Sequence, residues 1–222
     1  MKYIILTILP VVLLFTSCSR PPEHAVTSNS KFETLRMPSD STTLYFRTKS
    51  ETDEKTSDAL DTFRNQWYSE MLFSLKEPVL YNYKGDKEIY RFTWLRTFHH
   101  PVAVRLEKEG EEIKLFLKVC DGAGGYKPGT LLNDKCLAIT VDSFSKLKKK
   151  IDKADFWKQP TLSEERLGTD GSEWIIEGIK DNNYHLVRRW TPVKEEVSGF
   201  RAIGEYLIEL SELGEKETEK FY

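Results

Sequence analysis

Three runs in which apolar and polar residues alternate limit the folds open to this 222-residue chain. Residues 88–96 (EIYRFTWLR) place aromatic side chains at every second position, and residues 102–108 (VAVRLEK) and 113–119 (IKLFLKV) do the same with aliphatic ones. A period of two is that of a β-strand with one buried face. The links between these runs are short, so consecutive strands are antiparallel. With the further apolar runs along the chain, we expect an antiparallel sheet of about six to eight strands.

Three other segments have the three-and-four spacing of apolar residues that is typical of amphipathic helices. They are residues 57–76, 143–154 and 199–213. In the first, Phe63 and Trp67 belong to an apolar stripe that we expect to pack in the core. A meander of strands combined with about three helices gives an α+β fold. Apolar residues make up 39% of the chain, which is enough for one core, and we place it in a single domain over residues 43–214.

The N-terminal residues have the pattern of an export signal. Lys2 precedes an apolar stretch over residues 3–15, and two small residues stand immediately before Cys18. An apolar stretch of this length behind one positive charge is typical of a signal peptide, here residues 1–17. A cysteine at the cleavage site resembles the signal of bacterial lipoproteins, which implies that Cys18 is lipidated and becomes the mature N-terminus. Plain secretion and a retained anchor are the alternatives.

This signal predicts a protein of the bacterial cell envelope, held at a membrane surface by lipid chains without spanning the bilayer. Residues 18–42 are rich in Pro, Ser and Thr and are expected to form a tether between lipid and domain. Residues 215–222 form a charged tail. The formal charge of -2 gives no basic footprint for nucleic acid. Besides the membrane, the expected partner is an unknown envelope protein or ligand.

Two further cysteines, Cys120 and Cys136, flank a glycine-rich loop. An even pair of cysteines in an oxidising compartment predicts a disulfide. Two buried thiols are the alternative interpretation.

Residues 170–190 (DGSEWIIEGIKDNNYHLVRRW) concentrate polar and aromatic side chains in two apolar runs joined by KDNN, which is turn chemistry. If the turn has two central residues, Glu177 and Arg188 share one face of the hairpin, and we expect them to form a structural ion pair. His185 then shares the other face with apolar neighbours, which favours a position at the edge of the core over a catalytic base.

Other motifs in the sequence resemble binding sites without matching one. The loop DGAGGYKPG (residues 121–129) fails the dinucleotide spacing, because Lys127 stands where the third glycine is required. It fails the P-loop pattern as well, because Thr130 replaces the lysine. His99 and His100 are adjacent but lack a third ligand at metal-binding spacing. We therefore expect no cofactor and no metal.

The runs YRFTWLRTFHHPVAVRL, DGAGGYKPG and DGSEWIIEG…YHLVRRW together resemble a family of small exported bacterial proteins of uncharacterised function. The likeness covers about residues 88–214 and implies one intact domain with no assigned catalytic role. If the three runs converge, their polar residues form one candidate functional surface. Its members are Asp121, Tyr126, Asp170, Trp174, His185 and Arg189.

Three functional hypotheses follow from the sequence. The first is a non-catalytic binding domain, because no complete catalytic constellation is found. The second is a hydrolase-like enzyme, which requires Asp121, Asp170 and His185 within hydrogen-bond reach of one another in a cleft. The third is an inhibitor-type protein with exposed Trp and Tyr anchors on a flat patch.

Overall fold

The computed structural model describes residues 35–48, 59–162, 170–193 and 199–214. The predicted signal peptide, the lipid-attachment residue Cys18, the first part of the tether and the charged tail lie outside these described residues. None of the described helices is long and apolar enough to span a membrane.

Eight strands occur in the described residues. They are β1 (Arg47–Thr48), β2 (Ala59–Leu60), β3 (Glu88–Arg96), β4 (Val102–Glu109), β5 (Glu112–Cys120), β6 (Leu131–Ala138), β7 (Ser172–Lys180) and β8 (Asn183–Trp190). Strands β1 and β2 form a small parallel pair. The other six form one sheet in the order β6-β5-β4-β3-β7-β8, with every neighbouring pair antiparallel. The predicted α+β fold and a sheet of about six strands are confirmed.

The three helices are α1 (Thr62–Ser74), α2 (Val141–Lys153) and α3 (Phe200–Ser211). Helix α1 begins later than its apolar spacing suggests, because the carboxylate of Asp61 accepts a hydrogen bond from the backbone N–H of Arg64 and caps the first turn. Thr140 caps α2 in the same way through Ser143. Strand β6 ends at Ala138, two residues before this cap.

One face of the large sheet packs against α2 and α3 through an apolar core. Phe92 and Trp94 of β3 meet Trp174 of β7, with ring centroids 4.9 and 5.8 Å from the Trp174 ring. All three are fully buried. Gly204 lets α3 approach this cluster, because a Cβ there would lie 2.8 Å from the Trp174 ring.

The opposite face of the sheet carries buried charges and is covered by α1 and the segment that follows it. Arg91 and Arg105 project from β3 and β4 and bind the carboxylates of Glu77 and Glu177. The carbonyl of Pro78 accepts a further hydrogen bond from Arg91 at 2.7 Å. Buried charges persist only when paired and hydrogen-bonded, so this network fixes the position of the chain after α1 on the sheet.

Candidate functional site

Three sequence runs, at residues 90–106, 121–129 and 170–190, meet at one end of the sheet. The backbone N–H and hydroxyl of Thr97, just after β3, both donate to the carbonyl of Gly171, at 2.9 and 3.0 Å. The N–H of Gly124 donates to the carbonyl of His99, and the N–H of Gly125 donates to the carbonyl of Thr97. The β3–β4 turn is therefore bonded on one side to the start of β7 and on the other to the β5–β6 loop.

Glycines are required where this loop approaches the β3–β4 turn. A Cβ added to Gly124 would lie 2.8 Å from the backbone of Leu95 and Arg96, and one added to Gly125 would lie 2.8 Å from Thr97. Real Cβ atoms do not approach backbone atoms this closely. Gly124 and Gly125 therefore allow a close backbone contact, and packing explains their position in the loop without a phosphate ligand.

Asp121 has a structural role in the same loop. Its two carboxylate oxygens accept hydrogen bonds from the backbone N–H and the hydroxyl of Thr130, at 2.7 and 2.9 Å. These two bonds hold the pKa of Asp121 below its usual value. The carboxylate thus closes the base of the loop and stays ionised at neutral pH.

The other predicted surface residues lie in different environments. Tyr126 is exposed at the tip of the loop and Asp170 is exposed before β7. Trp174 is fully buried and Arg189 is 7% exposed. The Arg189 guanidinium donates to the carbonyl of Pro160 at 3.0 Å, and burial together with the nearby Arg188 lowers its pKa to about 10. The six candidates therefore do not form a single surface, although the loops that carry three of them converge.

His185 lies on the α2 and α3 side of the sheet, against two aromatic rings. Its ring centroid is 5.1 Å from that of Phe156 and 6.0 Å from that of Trp157. It pairs with Gly178, whereas Asp170 precedes Ser172 at the far end of β7. Gly178 lies six residues after Ser172 along the strand, about 20 Å at 3.3 Å per residue.

Asp121 is also remote from His185, because it follows β5, which lies four strands away from β8, the strand of His185. The arrangement that a hydrolase using Asp121, Asp170 and His185 requires is therefore not present.

The hairpin has the predicted register but different ion pairs. Lys180 pairs with Asn183, and Asp181 and Asn182 form a two-residue turn with positive φ angles of 52° and 61°. Glu177 and Arg188 share a face, yet the structure gives each another partner.

Glu177 accepts from Arg91 Nε at 2.6 Å, because β3 places Arg91 directly opposite it in the ladder. Arg188 Nε donates to a carboxylate oxygen of Glu173 at 2.6 Å. Arg188 pairs with Ile175 in the ladder, and Glu173 lies two residues before Ile175 on the same face. The sequence did not identify Arg91 as the partner of Glu177, since the pairing of β3 with β7 joins segments far apart in the chain. It also did not identify Glu173 as the partner of Arg188.

The two domain cysteines lie on different rungs of the β5–β6 ladder. Cys120 is a buried free thiol at the end of β5, and Cys136 lies opposite Phe116. Cys120 lies four residues after Phe116 along the strand, about 13 Å at 3.3 Å per residue. A disulfide requires Cα atoms within about 7 Å, so the geometry does not support the predicted Cys120–Cys136 bond.

A groove lies between α1 and the β5–β6 loop, beside the convergence of the three runs. It has a volume of about 360 Å³ and is lined by Phe63, Gln66, Trp67, Glu70, Gly125 and Tyr126. This volume falls within the range of small-ligand sites, about 300–1,000 Å³. The groove is open to solvent along one side of the domain.

The walls of the groove are aromatic and exposed. Phe63 is 73% exposed and its ring centroid is 6.2 Å from that of Trp67 on the next turn of α1. On the other side, Tyr126 is 61% exposed and lies 6.0 Å from Phe98, which is 58% exposed. Phe63, Trp67 and Tyr126 line the groove, with Phe98 beside Tyr126, and we call it the aromatic groove.

Sequence periodicity assigned Phe63 and Trp67 to the core, and for Phe63 this prediction was wrong. The buried side chains of α1 are Asn65, Tyr68, Ser69, Met71 and Leu72, so its inward face is partly polar. Asn65 and Ser69 are turned inward by specific hydrogen bonds, from the Asn65 amide to the carbonyl of Phe46 and from the N–H of Tyr45 to the Ser69 hydroxyl. The spacing of apolar residues cannot predict which face of α1 is buried when that face includes hydrogen-bonded polar side chains.

One exposed ion pair stands beside the aromatic groove. Lys127 Nζ lies 2.9 Å from Glu70 Oε1, and their side chains are 80% and 43% exposed. Exposed pairs of this kind contribute little stability, so both charges can be rearranged by a ligand at low cost.

A second recess, of about 260 Å³, lies at the opposite end of the sheet and is polar. Two of its lysines are engaged: Lys87 binds Glu107 at 2.7 Å, and Lys108 donates to the carbonyl of Gly110 at 2.6 Å. We therefore regard the aromatic groove as the candidate site.

In the part of the chain that the structure describes, no three His, Cys, Asp or Glu side chains are grouped so that they could hold a metal ion. No protein-family model matches this chain, and no curated protein matches it.

Proposed function

We propose that this chain is a lipid-anchored protein of the bacterial cell envelope whose α+β domain binds a partner without catalysing a reaction. The pattern of the first 18 residues supports the anchor, with a single charge, an apolar stretch and Cys18 after two small residues. Lipid chains on Cys18 would hold the domain at the membrane surface, with residues 19–42 as the tether.

The observation that carries the binding role is the exposure of the aromatic groove. Large aromatic side chains favour burial, and contiguous exposed apolar surface on a domain marks interaction sites. Phe63 and Tyr126 are the most exposed members and come from two different elements, α1 and the β5–β6 loop. Aromatic anchors of this type dominate binding free energies in protein interfaces.

The rigidity of the surrounding backbone supports the same role. The loop that carries Tyr126 is bonded to the β3–β4 turn through Gly124 and Gly125 and closed at its base by Asp121. A preorganised wall loses little conformational entropy on binding. The inhibitor-type hypothesis called for a flat aromatic patch, whereas these aromatic side chains line a groove, which favours a partner that inserts a segment.

Photo-crosslinking in intact cells tests the binding role. Benzoylphenylalanine in place of Phe63 should give a discrete adduct with another envelope component, and the Tyr126→Ala substitution in the same chain should remove that adduct. The matched control is benzoylphenylalanine at Leu132, which is 61% exposed on β6, away from the groove. Equal adducts from positions 63 and 132, or an adduct indifferent to Tyr126→Ala, would contradict the role of the groove.

Intact-mass spectrometry of protein extracted from its native membrane tests the anchor separately. The expected mass is that of a chain starting at Cys18 with added acyl groups, and Cys18→Ser should release the domain from the membrane fraction. A chain that retains residues 1–17 without acyl mass would contradict the anchor. That result would not bear on the binding role of the aromatic groove.

A further inference from the structure

We infer that the aromatic groove is a binding site for an uncharged glycan. The sugar rings pack against the aromatic walls, and their hydroxyl groups form hydrogen bonds with Gln66 and Glu70, which line the same groove. The inference rests on the proposed binding role of the groove and names the chemical class of its ligand.

One face of α1 carries aromatic and polar side chains next to each other. Phe63 and Trp67 are one turn apart, and their ring centroids are separated by 6.2 Å. Gln66 and Glu70 are also one turn apart, and spacings of three and four residues put them on the same face as the two rings. Helix α1 is buried through other side chains, so Phe63 and Gln66 remain exposed. A ligand on this wall therefore meets an aromatic ring and a hydrogen-bonding group within one turn of each other.

This combination matches the surface of a sugar ring. A sugar ring has apolar faces formed by C–H groups and a rim of hydroxyl groups, each of which donates and accepts hydrogen bonds. The face of an aromatic ring carries partial negative charge, which attracts the C–H groups. The Gln66 amide offers both a donor and an acceptor, so it can bind two neighbouring hydroxyl groups at once. A purely apolar ligand would instead cover the polar groups of Gln66 and Glu70 without giving them partners.

The charges of the groove favour a ligand without net charge. Lys127 Nζ lies 2.9 Å from Oε1 of Glu70, so the carboxylate of the lining is already neutralised. A cationic ligand would only exchange one ammonium group for another at Glu70, and an anionic ligand would only exchange carboxylates at Lys127. Neither exchange gains net electrostatic attraction. A hydroxyl group that donates to Oε2 of Glu70 adds a hydrogen bond and keeps the ion pair.

The opposite wall is held in place across from α1. Tyr126 is exposed, and the backbone beside it is fixed by the hydrogen bond from the N–H of Gly125 to the carbonyl of Thr97. The next residue, Lys127, binds Glu70 and so connects the loop to α1. A ligand between the two walls contacts aromatic rings on both sides. The volume of about 360 Å³ fits a short oligosaccharide segment rather than a folded protein surface.

Isothermal titration calorimetry of the full mature lipidated chain tests the inference, in nanodiscs of zwitterionic phospholipid that contain no sugar. The probes are N-acetylchitotetraose, cellotetraose and maltotetraose. At least one should bind with a dissociation constant below about 1 mM. Raising the salt concentration from about 0.01 to about 1 M shortens the screening length about tenfold and should change this constant less than about twofold. Preference for the N-acetylated probe or for a glucose probe supports the inference and identifies the class of glycan.

Two substitutions separate the two kinds of contact, with the tightest-binding probe as ligand. Phe63→Leu keeps an apolar side chain but removes the ring, and it should weaken binding about tenfold. Gln66→Leu removes the amide and should also weaken binding about tenfold, whereas an apolar ligand would bind this variant more tightly. Leu132→Ala is the matched control, because Leu132 is exposed on β6 outside the groove, and its affinity should be unchanged.

Three results would overturn the inference. They are no binding of any of the three probes, a strong dependence of binding on salt, and an affinity that Phe63→Leu and Gln66→Leu leave unchanged.

The crosslinking in cells from position 63 separates this inference from the proposed function. An adduct with a protein that is lost on Tyr126→Ala, together with no binding of any probe, contradicts the glycan and leaves the binding role intact. Binding of a probe by the purified chain without any adduct in cells contradicts the proposed function alone.

Discussion

Arg91 and Glu177 face each other across β3 and β7, with the Arg91 Nε 2.6 Å from a Glu177 carboxylate oxygen and both side chains fully buried. They form the centre of a charged layer in which Glu77 also contacts Arg91, Arg105 and Lys118. Buried ion pairs add little stability relative to apolar packing, but losing one partner leaves an uncompensated charge in the interior.

Removing Glu177 alone should therefore be costly. We expect Glu177→Leu to lower the free energy of unfolding by about 3–5 kcal/mol, measured by urea denaturation of the mature chain. The double variant Glu177→Leu with Arg91→Met should be more stable than Glu177→Leu, because the single variant leaves the buried Arg91 with only its longer carboxylate contact, that to Glu77 at 3.4 Å. As a control, Lys146→Ala removes an exposed ion pair with Asp142 and should have no measurable effect. A double variant less stable than the single one would contradict this account of the layer.

The pKa of Glu77 gives the charged layer a pH dependence. Burial alone would raise this pKa, but the charges of Arg105, Arg91 and Lys118 outweigh it and hold the pKa below the ordinary value of 4.5. A lowered pKa in the folded state means that Glu77 stabilises the fold above pH 4.5, and that this stability is lost as the pH falls through the lowered value.

Carbon-13 NMR titration of the Glu77 carboxyl should accordingly give a midpoint below 4.5. The free energy of unfolding should fall on acidification below pH 4.5 by up to about 1.4 kcal/mol per pH unit for this one proton, and Glu77→Gln should remove that component. Burial raises the pKa values of Glu173 and Glu177, which gives contributions of the opposite sign, and the Glu77 charge adds to the raised pKa of Glu177, so the titration of Glu77 itself is the deciding measurement. A titration midpoint above 4.5 would contradict the assignment.

Close backbone contact at the β5–β6 loop makes a methyl group costly there. Gly125→Ala brings a Cβ to 2.8 Å from Thr97 backbone atoms, so the loop must shift. We expect a loss of about 1–3 kcal/mol in the free energy of unfolding and a displaced Tyr126 ring. Gly214→Ala is the matched control, because a Cβ there meets nothing within 4 Å. Equal stabilities of the two variants would show that the loop tolerates the added atom.

Burial makes the Cys120 thiol unreactive. Burial, with a smaller effect of the Asp121 carboxylate, raises the pKa of this thiol to about 11, so very little thiolate exists at pH 8. Because thiolate is the reacting species, iodoacetamide should leave Cys120 unmodified in the folded protein and alkylate it in urea. Peptide-level mass spectrometry gives the readout. Protection that persists in urea without reductant would instead indicate a disulfide at Cys120.

The sequence predicted the sheet well because each strand carries its own alternation. The turn at residues 181–182 and the faces of the β7–β8 hairpin followed from local turn chemistry. The ion pairs were missed because Arg91 and Glu173 gain their partners through pairings that local patterns do not specify. Segment 78–84 resembles a strand in composition, yet Val79 forms only an isolated bridge to Arg36.

The candidate site was predicted only in part, for a physical reason. The sequence made one surface conditional on convergence of the three runs; the runs do meet, but Trp174 and Arg189 are buried by contacts that composition cannot reveal. Tyr126 was identified from its loop, whereas Phe63 and Trp67 were assigned to the core from their helical spacing. Exposed and buried aromatic stripes have the same periodicity, so only the packing of α1 on the sheet distinguishes them.

Hydroxyl-radical footprinting of the native cell envelope, compared with the purified lipidated protein, tests the central claim that a partner covers the aromatic groove. We predict lower modification of Phe63, Phe98 and Tyr126 in the envelope than in the purified protein. Met37 and Leu132, which are 57% and 61% exposed outside the groove, should be modified equally in both. Equal modification of the groove aromatics in the two samples would contradict the claim.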